Sequence, residues 1–165
     1  MKKPAGVIIH HSLTRDGKTV DWDGIKKYHT SYRHNGEMIT KDRFMTLQAA
    51  GAKGLESPWS DIGYHAGVER INGVLTTLTG RPLNMTGAHC SGKNDHLGIC
   101  IVGNYDLVVP DDELLTYSAE VAAGYLRLLN LGVDTMHRHH EYHPKSCPGK
   151  LFPWERFRTL VRDVL

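Results

Sequence analysis

Residues 139–148 read His-His-Glu-Tyr-His-Pro-Lys-Ser-Cys-Pro, which places three imidazoles, a carboxylate, an amine and a thiol within ten positions. Imidazole nitrogen and thiolate sulfur are the usual ligands of zinc, and an ammonium beside them can stabilise negative charge on a reacting oxygen. His139 and Cys147 stand eight apart, a spacing that matches no zinc-finger pair and argues against a closed structural knuckle. Two ligands from one loop and a third from a distant strand instead describe a catalytic zinc, which keeps a coordination position open. Sites of this general kind lower the pKa of bound water from roughly 15.7 to about 7, enough to supply a nucleophile at neutral pH. Lys145, two residues before Cys147, is placed to donate to a tetrahedral oxyanion. Loss of one such donor costs on the order of a hundredfold or more in rate. His140 competes with the adjacent His139 for the ligand role, and His137 competes from two residues back.

The third ligand has to come from elsewhere, and the N-terminal stretch offers two candidates. Val7-Ile8-Ile9 is β-branched and apolar and reads as a buried strand, with His10 and His11 at its end. Side chains alternate across a strand, so the two histidines point to opposite faces and only one can look directly into a site. A single histidine at a strand end is ordinarily a half-buried surface group. A pair at the carboxyl edge of a core strand is as readily a ligand.

The elements that must position these groups form one mixed α/β domain. Asp21 caps a helix expected over 22–33, where Ile25, Tyr28, His29 and Tyr32 recur at helical spacing. From 34 to 58 the periodicity is poor and glycines interrupt it, so this stretch reads as an insertion or lid, with a short helix over 43–52. A strand over 66–71, the hairpin turn Asn72-Gly73 and a returning strand over 74–78 follow. A polar, glycine-rich passage over 87–96 precedes a buried strand over 97–103. Thr116 is the expected cap of a helix running to Leu131, with Gly132 as its stop. A short extended segment over 134–139 delivers the His-rich loop, and Pro153 suits the first turn of a last helix.

Composition bounds the function. The chain has 165 residues, 40% hydrophobic and 23% charged, which fits one soluble domain with a single core. Its net charge of +2 gives no electrostatic ground for nucleic-acid binding, and none is expected. Eleven histidines are the anomaly. Cys90 and Cys100 read as reduced, partly buried thiols, with a disulfide between them as the alternative. No run has transmembrane length, and the apolar stretch after Met-Lys-Lys-Pro-Ala-Gly is too short for a signal peptide. The expectation is therefore a protein made in the cytoplasm, without stable membrane insertion.

Three motifs occur together here: His10-His11-Ser12 after an aliphatic strand, Asp61-Ile62-Gly63-Tyr64-His65, and His139-His140-Glu141 followed by Pro144-Lys145-Ser146-Cys147-Pro148. With Gly87-Ala88-His89 also in pattern, the chain resembles the zinc-dependent N-acetylmuramoyl-L-alanine amidases shared by phage lysozymes and peptidoglycan recognition proteins. It is most similar to the phage-lysozyme type, over about residues 7–160. The resemblance implies one catalytic domain over 1–165, with a central mixed β-sheet flanked by helices and a zinc site in a surface groove. It implies His10, His139 and Cys147 as ligands of a single catalytic Zn²⁺. Tyr64 becomes a catalytic hydroxyl orienting the water or the scissile carbonyl, and Lys145 the oxyanion partner.

The implied reaction is hydrolysis of the amide between N-acetylmuramic acid and L-alanine in peptidoglycan. The implied setting is a phage or prophage endolysin that waits in the cytoplasm and reaches the wall after membrane permeabilisation. Two alternatives stand beside it: a cytoplasmic muropeptide-recycling amidase, and a non-catalytic peptidoglycan-binding module. A monomer is the default for so small a groove hydrolase. Some phage relatives also bind a polymerase, and nothing in this sequence establishes or excludes such a partner. His65 and His89 are candidate groove walls, and Glu141 is a candidate carboxylate behind a ligand imidazole. His11, His29, His34 and His96 read as structural.

Overall fold

In a computed structural model of the chain, residues 3–16 and 20–165 are described. Its centre is a five-stranded sheet. β1 (Val7–His11) pairs in parallel with β7 (Leu97–Ile101) on one side and β8 (Met136–Arg138) on the other. β5 (Ala66–Ile71) pairs in parallel with β7, and β6 (Val74–Thr79) closes the edge antiparallel to β5. The spatial order β6-β5-β7-β1-β8 makes the sheet mixed, with β1 and β7 buried along their whole length. That burial is why both read as unbroken apolar runs rather than as alternating patterns. Between β5 and β6, Asn72 and Gly73 both adopt positive φ, 51° and 85°, as a two-residue hairpin turn requires.

Alternation along the strands sorts the two faces. Val7, Ile9, Leu97, Ile99 and Ile101 lie in the main core, beneath α3 (Asp112–Leu129) and α4 (Trp154–Val164). Cys100 and Val102 lie in a smaller core on the other face, with Ile62 and with Trp22 and Ile25 of α1 (Trp22–His29). His10 sits beside Cys100 in the register and His11 beside Ile101, so the two histidines do diverge.

Several boundaries differ from the sequence expectation. Asp21 caps α1 as anticipated, accepting from Gly24 N at 2.7 Å. The helix ends at His29, however, because Tyr32–His34 is drawn into a strand, β2. The 34–58 stretch is not irregular. β2, β3 (Glu37–Ile39) and β4 (Leu55–Glu56) form a second small sheet, order β3-β2-β4, with α2 (Lys41–Ala49) packed on it. Arg33 in β2 is 1% exposed, its guanidinium sandwiched by Tyr28 and Trp59 and paired with Glu56.

α3 starts earlier than expected, capped by Asp111, whose Oδ1 accepts from Leu114 N at 2.8 Å. Asp112 and Glu113 complement the positive end of the helix in its first turn. The helix stops at Asn130, left-handed at φ 50°, and not at Gly132. Among the described residues no helix is long and apolar enough to cross a membrane.

Candidate metal centre

The register of the sheet builds the site. Ile9 of β1 lies opposite Arg138 of β8, so the next residue along each strand, His10 and His139, emerge side by side. Their rings are 4.5 Å apart between centroids. His139 opens a one-turn 3-10 helix (His139–Glu141), and the chain then doubles back to bring Cys147 alongside. The return is pinned by backbone: His140 N donates to Cys147 O at 2.8 Å, and His11 N donates to Cys147 Sγ at 3.3 Å. Asp106 fastens the same loop from below, accepting from Ser146 Oγ at 2.6 Å and from Lys150 N at 2.8 Å. One ligand atom each from His10, His139 and Cys147 lie within 4.8 Å of one another, and all three residues are buried.

Hydrogen bonding decides which nitrogen of His10 faces that cluster. The carbonyl of His96 can only accept, so His89 Nε2, 3.0 Å away, carries the proton. His89 Nδ1 is then an acceptor and takes the proton of His10 Nε2 at 3.0 Å. What remains on His10 is the Nδ1 lone pair, 3.7 Å from Cys147 Sγ. Burial holds these imidazoles neutral: His10 is driven well below its ordinary pKa, His89 to about 3 and His139 to about 4. Neutral imidazole is the ligand form. Gly87 and Gly98 make room for the His89 ring, since a Cβ on either would approach it to 2.5 Å.

The donor set fits a zinc-class ion. Burial pushes the Cys147 thiol up to about 12, against the opposing pull of the His11 N–H and Lys145. A divalent cation reverses that balance, because a coordinating thiol gives up its proton. Two imidazoles and a thiolate are the soft-to-borderline donors that zinc prefers.

Two adjoining cavities open on this cluster. One of about 500 Å³ is lined by His10, His11, Tyr64, Asp106 and Cys147, among others. The second, of about 350 Å³, is lined by Trp59, His89, Cys90 and His143, among others. His139 and Lys145 line both. Lys145 is exposed at the rim. Tyr64 packs 5.1 Å from the His10 ring, and burial together with the Cys100 and Cys147 thiols pushes its phenol well above its usual pKa. No residue of 34–58 lines either cavity; the neighbouring Trp59 does.

The geometry also separates residues that sequence alone left together. His140 turns away, its Nδ1 bonded to the Lys145 carbonyl. His137 pairs with Glu141 at 2.9 Å. Glu141 therefore backs His137 and caps the 3-10 turn through Arg138 N, and it is not the carboxylate behind His139. His65 is a scaffold group: its Nδ1 accepts from Gly98 N and its Nε2 donates to Met85 O. Cys90, Cys100 and Cys147 are all free thiols.

Sequence reasoning missed three positions. His29 accepts from Gly63 N at 3.1 Å and stacks on Trp59 at 4.6 Å, which holds the Tyr64 loop against the groove. His89 was read as a groove wall, but it also stands behind His10. Asp106 carries no local signal, and only the fold brings it under the Cys147 loop.

A family model described as N-acetylmuramoyl-L-alanine amidase matches residues 1–150. The chain belongs to that family, and its enzymatic class is N-acetylmuramoyl-L-alanine amidase. Among solved structures it is similar to the amidase LysC from Clostridium intestinale URNW, at 22% identity and TM-score 0.62, covering 95% of this chain and 84% of that one. It is also similar to the Ph2119 endolysin of Thermus scotoductus MAT2119 bacteriophage Ph2119, at 18% identity and TM-score 0.66, covering 96% and 85%. Drosophila PGRP-LB matches at 23% identity and TM-score 0.61, covering 92% and 79%. At such identities these likenesses establish the fold. A search of curated proteins found no match.

Proposed function

We propose that the chain is a zinc-dependent amidase that cleaves the bond between N-acetylmuramic acid and L-alanine in peptidoglycan, and that it serves as a phage or prophage endolysin. The observation that carries this reading is the convergence of His10, His139 and Cys147 at the junction of two cavities, with Lys145 and Tyr64 beside them. When bound, Zn²⁺ supplies a Lewis acid and lowers the pKa of water at the site. The remaining work belongs to the chain's own residues. His10 and His139, held neutral by burial, present lone pairs without a competing proton. Lys145 reaches the groove from the rim and donates to the oxyanion that develops as the amide carbonyl becomes tetrahedral. Tyr64, its phenol kept protonated, acts as a hydrogen-bonding hydroxyl that orients water or the carbonyl, and does not serve as a base. Trp59 offers an apolar face to glycan or peptide.

The endolysin role draws support from endolysins among the structural relatives. We assign action on the wall to a monomer, without a nucleic-acid partner.

The test is release of new amino termini from purified peptidoglycan, with reducing sugar ends counted in parallel. Amine release without reducing ends, abolished by a zinc chelator and by Cys147→Ala, is expected. Reducing ends would identify a different bond, and binding without release would favour a non-catalytic module. Comparable turnover on intact sacculi supports the endolysin role, whereas activity confined to small soluble muropeptides supports recycling.

A further inference from the structure

His139 stands between two groups of metal-binding side chains, and only one of them is used above. On its other side lie Cys90 and His143, and one ligand atom from each of Cys90, His139 and His143 again lie within 4.8 Å of one another. They come from two parts of the chain, Cys90 from one loop and His139 and His143 from another. Cys90 is 2% exposed and its loop is fixed: Asn94 Oδ1 accepts from both His89 N and Cys90 N at 2.9 Å, and Lys93 N donates to Cys90 O. His143 Nε2 donates to Ser91 O at 3.2 Å, which docks its ring against that loop, 5.0 Å from the His139 ring. The 350 Å³ cavity gives the cluster access from solvent. A thiol and two imidazoles converging from two pinned loops select thiophilic divalent ions over magnesium or calcium.

We propose that Cys90, His139 and His143 form a second site for a thiophilic divalent cation such as zinc or cadmium, in competition with the first site for His139. The competition follows from the imidazole itself. A neutral ring carries one N–H and offers one lone pair, so His139 serves one ion at a time. In the intact chain the first ion takes His139, and a second binds more weakly to Cys90 and His143. When the first triad is broken, His139 is released to the second. Each ion displaces a thiol proton to solvent and forms one metal–thiolate bond. None of this depends on the reaction proposed above.

The experiment is cadmium titration of the metal-free protein, read by thiolate-to-cadmium absorption, which counts metal-bound thiolates and ignores surface histidines. The intact chain is expected to saturate at two cadmium-bound thiolates, the second more weakly held. Cys90→Ser and Cys147→Ser should each saturate at one, and the double variant should show none. His143→Ala should weaken only the second phase. Circular dichroism of each variant, with Cys147→Ala as a second disruption of the first triad, separates lost binding from lost folding. Saturation of the intact chain at a single thiolate would overturn the proposal. So would absorption that persists in the double variant, because it would place the second thiolate on Cys100.

Discussion

Replacing His89 by alanine tests the hydrogen-bonded relay that sets the ligand nitrogen of His10. Three links in series do the work: the His96 carbonyl fixes the proton on His89 Nε2, His89 Nδ1 accepts from His10 Nε2, and His10 Nδ1 is left facing Cys147 Sγ. Without His89 the His10 ring is free to adopt the other tautomer, with its proton on the nitrogen a metal needs. Removing a group that orients a ligand histidine typically costs about 10- to 100-fold in metal affinity. That is about 1.4–2.7 kcal/mol. In either tautomer His10 Nε2 is also left buried and unpaired, at about 1–3 kcal/mol of folding stability. Zinc affinity from chelator competition and unfolding of the metal-free protein by denaturant report the two losses separately. Asparagine is the informative companion, because its Oδ1 can occupy the place of Nδ1 and accept from His10. His89→Asn should recover most of the affinity and His89→Leu none. Unchanged zinc affinity in His89→Ala, with the protein folded, would refute the relay.

Three further outcomes follow from the same geometry. Lys145→Ala should retain zinc and lower kcat on the order of a hundredfold, since an exposed rim ammonium contributes to the oxyanion and not to ligation; equal loss of metal would contradict this. Gly98→Ala should resemble His89→Ala in zinc affinity, because the new methyl group meets the His89 ring at 2.5 Å, and a chelator titration indistinguishable from wild type would count against it. The metal-free protein should lose stability in acid. His29, His89 and His139 titrate near 4, 3 and 4 when folded, against about 6.5 unfolded, so the unfolded chain binds more protons as pH falls through 6.5. Stability is present above that pH and drains away down to about pH 3–4. Denaturant midpoints independent of pH between 7 and 4 would show that these rings are already solvated.

The sheet was legible because its central strands are buried on both faces and the Asn72-Gly73 turn is unambiguous. Val7–His11, Ala66–Ile71 and the Asn72-Gly73 turn need no tertiary information. The errors have a common cause. Tyr32 continues the helical spacing of α1, yet Arg33 finds Glu56, Tyr28 and Trp59 only in a strand, and pairing with residues more than twenty positions away outweighs local periodicity. Thr116 looked like a cap because its hydroxyl precedes an apolar repeat, whereas the acidic run 111–113 was the stronger signal of a helix start. At the site, the choice among His137, His139 and His140 was open to composition and is narrowed by the register, since only the residue following Arg138 emerges beside His10.

The same register explains why the site needs so many histidines. β1 is fully buried, so a ligand at its end is desolvated from the outset, and a buried imidazole has no water to set its tautomer. The fold must supply a partner for the second nitrogen, and that partner needs one of its own. His10 leans on His89, His89 on the His96 carbonyl, and the ring of His89 on the missing side chains of Gly87 and Gly98. On the opposite face His11 has a different task. Its Nδ1 accepts from Tyr105 N while its own N–H holds Cys147 Sγ. Adjacent histidines on a buried strand thus serve the cluster in two ways, one turning its side chain toward Cys147 and the other using its backbone to place the thiol. Substituting the His11 side chain should therefore disturb the Tyr105 loop while leaving the sulfur–amide contact in place, an asymmetry that chemistry at the level of residue type cannot reveal.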